Sequence, residues 1–436
     1  MFSAARYVVV DDEEDQLRML VDSLHSIGAP CVGVHYTGKP LNPRAFAGVR
    51  LLFSDLYLIS GNSSQKVQFA AIEAMLRTNI DPTTGGPYLL ILWTSHDEQV
   101  GALRAYLRER LEPAKLPLAV LELDKKPFLV KGDGKGDPEG LAKAVHAQVN
   151  SSPEIRALIS WEGDVLAAAG ATLVTVTDLI AAEERDLDGF AEKLNGILSL
   201  LAVASAGKPN VPLDRRGAIN NALAPILADR IMNARERPEV AGIWDQAITR
   251  DNNLPVMDDA QIGRMNRMLH ISMPPAEPLD PKDWGAVLLL PAGERQDQPM
   301  MARFGVKYAE LLSQVFHLDK PGRARSRPVM VRIGAVCDHA QRKTGPLPYV
   351  LGVLVPVDVQ RKELEQLKSE FESPILLIDP AEGPVHLYVN ARFQIALVAP
   401  PVEWTPLFRI REQLLMMISA HAAEYQTRPG IVKLPI

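Results

Sequence analysis

The first 150 residues predict an α/β fold with a doubly wound, five-stranded parallel sheet. Two observations carry that expectation. Short β-type runs alternate with segments of helical periodicity, which is the pattern of strands joined by crossover helices. Four of the runs also deliver a polar or charged group at their C-terminal end: Tyr7 to Val10 meets Asp11-Asp12, Leu51 to Phe53 meets Asp55, Leu89 to Trp93 meets Thr94, and Leu118 to Leu123 is followed by Lys126-Pro127. In an open parallel sheet that edge is where ligands bind.

The elements follow in order. After the first strand, Leu17, Leu20, Val21 and Leu24 recur at i, i+3, i+4 and i+7, and Gly28 is placed to stop the helix. Cys31 to His35 reads as the second strand, Ser64 to Arg77 as a helix, and Asp81 to Pro87 as a loop of Gly, Pro and Thr. Val100 to Leu111 and Leu141 to Val149 supply two further helices and close a first domain at residues 1–150.

A helical middle domain is expected over residues 151–273. Pro153 suits a helix start, and stripes recur at Leu158, Trp161 and Val165 and at Phe190, Leu194, Ile197, Leu198 and Leu201. Ala218 to Arg230 reads as a third helix. Pro274, Pro275, Pro278 and Pro281 mark a linker to a β-rich domain over residues 274–436. There, runs at Ala286–Leu290, Val329–Val336, Val350–Val355, Ile375–Ile378, Val385–Val389 and Phe393–Val398 predict a small barrel or curled sheet. Helices are expected at Gln360–Phe371 and Pro406–Tyr425.

The 436 residues carry a net charge of -6, which gives no general case for nucleic-acid binding. With two cysteines far apart, Cys31 and Cys337, no disulfide framework is expected and a cytoplasmic setting fits. No basic-then-apolar leader opens the chain, and the apolar stretch Gly196 to Gly207 is too short to cross a bilayer, so no membrane partner is expected.

Three carboxylates, a hydroxyl and a lysine at one sheet edge suit a divalent cation and a phosphoryl group. Asp55 is the candidate nucleophile, since a carboxylate can attack phosphorus and hold the group as an acyl phosphate. Asp11, Asp12 and Asp55 offer the hard oxygen ligands that Mg²⁺ prefers. Thr94 offers a hydrogen bond and Lys126 a point charge. Of the adjacent Lys125 and Lys126, the second is preferred because it directly precedes Pro127.

Taken together, the acidic pair, Asp55, Thr94 and Lys126-Pro127 make residues 5 to 150 resemble a response-regulator receiver domain. The resemblance implies a histidine kinase as phosphodonor, autodephosphorylation, and the backbone carbonyl of Tyr57 as a further metal ligand. Leu123 stands where the family usually has an aromatic switch residue, and Ser60-Gly61 stands near where it commonly shows Met-Pro.

The expected function is therefore signalling: phosphorylation of Asp55 alters domain docking or dimerisation, and a non-standard output region responds. No separate catalytic site is read in that region. An alternative is a nucleic-acid-directed or phage-defence effector, with Arg323, Arg325, Arg327 and Arg332 as phosphate contacts; another is a non-catalytic interaction scaffold. The alternation Arg323-x-Arg325-x-Arg327 also suits a charged edge strand. Cys337-Asp338-His339 reads as a turn at a strand end, with His386 and His421 as distant histidines, since zinc needs three or four ligands in suitable spacing. Val336-Cys337-Asp338 and Arg428-Pro429-Gly430 also resemble SH3-like barrel domains found in bacterial defence and toxin-related genes. Trp161, Trp284 and Trp404 are expected in the core or at interfaces.

Overall fold

A computed structural model describes residues 6–61, 63–84, 86–128, 137–150, 152–185, 189–236, 238, 241–248, 254–273, 279–341, 345–361 and 368–427. The chain divides into two compact units, residues 1–169 with 233–250, and residues 170–232 with 251–436.

The first unit holds β1 (Tyr7–Asp11), α1 (Glu14–Ser26), β2 (Cys31–His35), β3 (Leu51–Asp55), α2 (Gln65–Asn79), β4 (Leu89–Thr94), α3 (Val100–Arg110), β5 (Ala119–Asp124) and α4 (Pro138–Asn150). The strands are all parallel in the order β2-β1-β3-β4-β5. Successive residues point to opposite faces. Val9, Phe53, Ile91 and Trp93 therefore pack with Leu20 and Leu24 of α1 and Leu141 of α4. Val8, Leu52, Leu90 and Leu92 pack on the other face with Phe69 and Ile72 of α2 and Leu103 of α3.

One connection departs from strict alternation. Between β2 and β3 the chain makes only a 3-10 turn, Pro43–Phe46, whose Asn42 side chain accepts a hydrogen bond from the Arg44 N–H. Pro40, Pro43, Gly38 and Gly48 crowd this segment and leave no room for a full helix. Phe46 and Val49 are buried and cover the sheet in its place.

Helix α5 (Pro153–Thr177) crosses the division between the units. By length and composition it could span a membrane, which the shorter Gly196–Gly207 stretch could not. Its Glu162, however, is ion-paired with both Arg6 and Arg50 of the first unit. Leu158 and Trp161 of the predicted stripe are mostly exposed, so Trp161 does not sit in the core, whereas Trp284 and Trp404 do.

In the second unit, α6 (Phe190–Ala206) and α7 (Arg215–Met232) pack through Ala202, Ala206 and Ala218. Short α8 (Ile243–Ala247) belongs to the first unit, and α9 (Asp259–His270) opens the remainder of the second. Asp258 caps α9 by accepting from the Gln261 N–H while the Gln261 Oε1 accepts from the Asp258 N–H.

The remaining elements are β6 (Ile271–Ser272), β7 (Ala286–Leu289), α10 (Asp297–Phe304), α11 (Tyr308–Glu310), α12 (Lys320–Arg325), β8 (Arg327–Arg332), α13 (Val336–Ala340), β9 (Leu347–Pro356), β10 (Glu370–Glu372), β11 (Val385–Leu397), β12 (Thr405–Ile410) and α14 (Glu412–Thr427). Their strands form a seven-stranded antiparallel sheet in the order β10-β11-β9-β8-β7-β12-β6. Both faces are covered. Val329, Val331 and Leu387 lie under α14, and Met330, Leu351 and Val353 lie under the segment Met300–Phe316. Of the two expected forms, the curled sheet is the one present; among the described residues no pairing joins β10 to β6 to close a barrel.

Several local expectations change. The runs at Val385 and Phe393 are one strand with a register shift between Val389 and Gln394, while Ile375–Ile378 contributes only a bridge at Leu376. Glu370–Glu372 is a strand rather than the end of a helix, and residues 362–367 of that expected helix lie outside the described residues, as do Arg428-Pro429-Gly430 and the linker prolines Pro274, Pro275 and Pro278. Pro406 belongs to β12, not to the last helix.

Arg323 and Arg325 lie on α12, and β8 is an interior strand, so the arginines do not line an edge. Arg325 pairs with Asp358 at 2.8 Å and Arg327 with Glu382 at 2.6 Å, while Arg332 is buried. Cys337, Asp338 and His339 form a turn of helix α13, and His339 stacks on Trp284. His386 bonds the Ser373 carbonyl, and His421 meets the Phe371 ring.

Candidate phosphoryl-transfer and metal site

Each strand of the parallel sheet ends where its sequence changes from apolar to polar. Asp11 is the last residue of β1, Asp55 of β3 and Thr94 of β4, and all three are buried. Order β2-β1-β3 reverses the winding direction beside β1, so the connections that leave β1 and β3 pass to opposite faces of the sheet and open a crevice at its carboxyl edge. That crevice is a cavity of about 540 Å³ whose lining includes Asp12, Asp55, Tyr57, Thr94, His96 and Lys125.

Ligand oxygens of Asp11, Asp12 and Asp55 all lie within 4.8 Å of one another. Asp11 Oδ1 accepts the Glu13 N–H at 2.8 Å, but its buried Oδ2 has no hydrogen-bond partner. Burial pushes the Asp11 carboxyl up to about 7, against the Glu13 hydrogen bond and helped by the neighbouring Asp55. Asp55 is also raised by burial, and Lys125 opposes the shift.

Lys125 is the lysine of the site. Its Nζ donates to Asp55 Oδ2 at 2.9 Å and to Gln16 Oε1 at 2.7 Å. Lys126 is exposed, and its backbone N–H donates to Asp124 Oδ1. The expectation for Lys126 is thus corrected, and the reason is strand parity. The Lys125 N–H donates to the Thr94 carbonyl, which carries the β4–β5 pairing one residue beyond Asp124. Leu123 and Lys125 then share the inward side, and the next residue turns out. Counting by twos from Leu121 would have found it.

The other expected residues gather here. Asp55 Oδ1 accepts the Tyr57 N–H at 3.3 Å, and Thr94 Oγ1 accepts the His96 N–H at 3.1 Å. Asp12 Oδ2 accepts the Ser60 hydroxyl at 2.8 Å, and the Asp12 carbonyl meets His35 Nε2 at 2.9 Å. Leu123 is buried in the core and leaves the ring nearest the site to Tyr57, which lies 4.7 Å from His96 and bonds Gln99.

Gln16, Ser60, His96 and Gln99 were not read from the sequence. Gln16 carried a signal, since it stands one helical turn after Asp12; the others depend on loop paths that no periodicity encodes.

Three carboxylates face one ammonium, so the cluster carries excess negative charge in a poorly hydrated place, where such charge is costly unless a cation or proton balances it. The donor set is all oxygen, and the orphaned Asp11 Oδ2 is a ligand atom without a partner. These residues fit a hard divalent cation, with room in the cavity for water and substrate oxygens. Compared with family models and with curated proteins, the chain matches none; a five-stranded parallel α/β sheet with an acidic cluster at the carboxyl ends of its strands is compatible with a receiver domain.

Proposed function

We propose that the first unit is a phosphoacceptor module, with Asp55 as the acceptor and Mg²⁺ held by Asp11, Asp12, Asp55 and the Tyr57 carbonyl. The observation that carries this reading is the Lys125–Asp55 contact of 2.9 Å beside two further carboxylates at the open edge of the sheet. A buried ion pair alone would be structural; the unbalanced carboxylates beside it are what a cation site needs.

An Asp55 carboxylate oxygen attacks the phosphorus of a phosphohistidine on a kinase-type partner. The new P–O bond forms as the P–N bond breaks, and the electron pair stays on the departing nitrogen, whose ring already carries a proton on its other nitrogen and so leaves as neutral imidazole. Lys125 and the Thr94 hydroxyl are placed to neutralise and hydrogen-bond the phosphoryl oxygens, which is most of what such transfers require. Bound Mg²⁺ would screen the repulsion between anionic acceptor and anionic donor. Attack by water later releases phosphate and restores the carboxylate.

Thr94 now accepts from the His96 N–H. Turning its hydroxyl toward a phosphoryl oxygen disturbs the loop that carries His96 and Gln99, both in contact with Tyr57. Through that loop the added charge would reach a partner or second copy docked on this face. A nucleic-acid effector finds less support, because Arg325 and Arg327 are already paired with carboxylates.

Incubation of the full chain with acetyl phosphate and Mg²⁺, followed by intact mass measurement, tests the assignment. One phosphoryl group per chain is expected, absent without Mg²⁺ and absent in Asp55→Ala. Equal labelling of wild type and Asp55→Ala would overturn it.

A further inference from the structure

The opposite, amino-terminal edge of the same parallel sheet carries a second cavity, of about 240 Å³, which shares no residue with the Asp55 site. One wall is the approach to β4 and β5, with Pro87, Tyr88, Leu89 and Leu118. The other is the first two turns of α5, with Ile155, Leu158 and Ile159, and Trp161 at the lip. Leu118, Leu158 and Trp161 are each more than half exposed, so the apolar surface continues out of the cavity to its mouth. Such a site, apolar with few polar groups, has the make-up of a small-molecule pocket.

Charge at one end is specific. Arg50 donates to both Glu162 oxygens at 2.8 Å, and Arg6 pairs with the same carboxylate. Arg50 is locked further, since its Nη1 donates to the Val49 and Gly86 carbonyls. Burial by itself would raise the Glu162 carboxyl, but the hydrogen bonds from Arg50 and Arg6 outweigh it and hold the group below its usual range. Arg50 and Glu162 line the cavity, and Arg6, outside its lining, shares the same carboxylate, so the cluster at that end carries one net positive charge.

We propose that this cleft binds an amphipathic organic acid: a compact aromatic or branched apolar body between Tyr88, Leu118 and Leu158, with its carboxylate at the net-positive Arg50–Glu162–Arg6 cluster. Apolar walls select the body by burial, and the unbalanced cation selects an anionic head over a cationic or neutral one. The site is independent of Asp55, so binding does not require phosphorylation.

Calorimetric titration of the full chain with 2-naphthoate tests the proposal, with 2-naphthylmethylammonium as the charge-reversed probe. Saturable binding of one naphthoate per chain is expected, with the ammonium weaker by about tenfold or more, the factor that one charge-assisted hydrogen bond supplies. Leu158→Glu and Leu118→Glu, two exposed positions at the mouth, each remove binding, and Arg6→Gln reduces the preference for the acid. Asp55→Asn binds as wild type does. Absence of saturable binding, equal affinity for the two probes, or undiminished binding in a well-folded Leu158→Glu or Leu118→Glu variant would each overturn it. So would a dimer in sedimentation that Trp161→Ala converts to monomer with the cleft newly able to bind, since a second copy would then be the occupant.

Discussion

The two sheets handle charge in opposite ways. In the antiparallel sheet and its surroundings, four arginines each pair with one carboxylate: Arg361 spans both Glu370 oxygens, Arg303 meets Glu294, Arg325 meets Asp358, and Arg327 meets Glu382. At the carboxyl edge of the parallel sheet, Asp11, Asp12 and Asp55 crowd round Lys125 alone. Paired charge is a device of folding and specificity. Unbalanced buried charge is costly, and groups perturbed in this way cluster at functional sites. Arg332 of β8 departs from that pattern, a buried guanidinium whose Nε and Nη1 have no hydrogen-bond partner among the described residues.

The comparison breaks most sharply at Asp55. Asp55→Asn should abolish phosphodonor labelling while leaving the second unit folded, as read by intact mass and far-ultraviolet circular dichroism. Next in size is Lys125→Met, which should slow labelling by about a hundredfold or more, the usual effect of losing a group aimed at developing charge. Lys126→Met should leave the rate unchanged. Parity of effect between the two lysine variants would contradict the assignment of Lys125.

In the second unit the effect should fall on stability instead. Arg361→Ala leaves the largely buried Glu370 without its partner, and Arg361 also covers the Tyr388 ring at 3.8 Å. A loss of about 3 kcal/mol is expected in denaturant unfolding, with labelling of Asp55 intact.

A smaller, pH-dependent difference should separate the metal-free and Mg²⁺-loaded proteins. The folded Asp11 carboxyl sits at about 7 against an ordinary 3.8, so the folded state holds a proton that the unfolded chain releases. Its contribution to stability is present at acid pH and is lost as pH rises from about 4 to 7. Mg²⁺ competes with that proton. Thermal unfolding should therefore show stabilisation by Mg²⁺ that grows from pH 5 to pH 8. Constant stabilisation across that range would detach Asp11 from the metal. The smallest effect is expected for Arg325→Ala, a solvent-exposed pair whose removal should leave the melting temperature unmoved.

Much of the first unit was legible because burial forces its pattern. The second strand, Cys31–His35, falls where its residues were read, and each apolar run that ends in a carboxylate or hydroxyl ends a strand. Parity, not proximity to proline, fixed the lysine, and Pro127 lies within the turn that runs from Lys125 to Phe128. Reading failed where tertiary partners decide. Glu370–Glu372 looks helical by charge pattern but pairs with β11, and Ile375–Ile378 looks like a strand but bonds at a single bridge. Trp161 looks like core in a helical stripe, yet α5 turns it to the mouth of a cleft. One cluster of polar residues, Tyr57 with His96 and Gln99, meets only because loops return to the sheet edge.

Borohydride trapping tests the central claim most directly. Reduction of an aspartyl phosphate cleaves the acyl–oxygen bond and leaves homoserine, which peptide mass spectrometry places in the sequence. After acetyl phosphate and Mg²⁺, homoserine should stand at position 55 and nowhere else. Homoserine at position 11 or 12, or unreduced label retained on a serine, threonine or histidine, would contradict it.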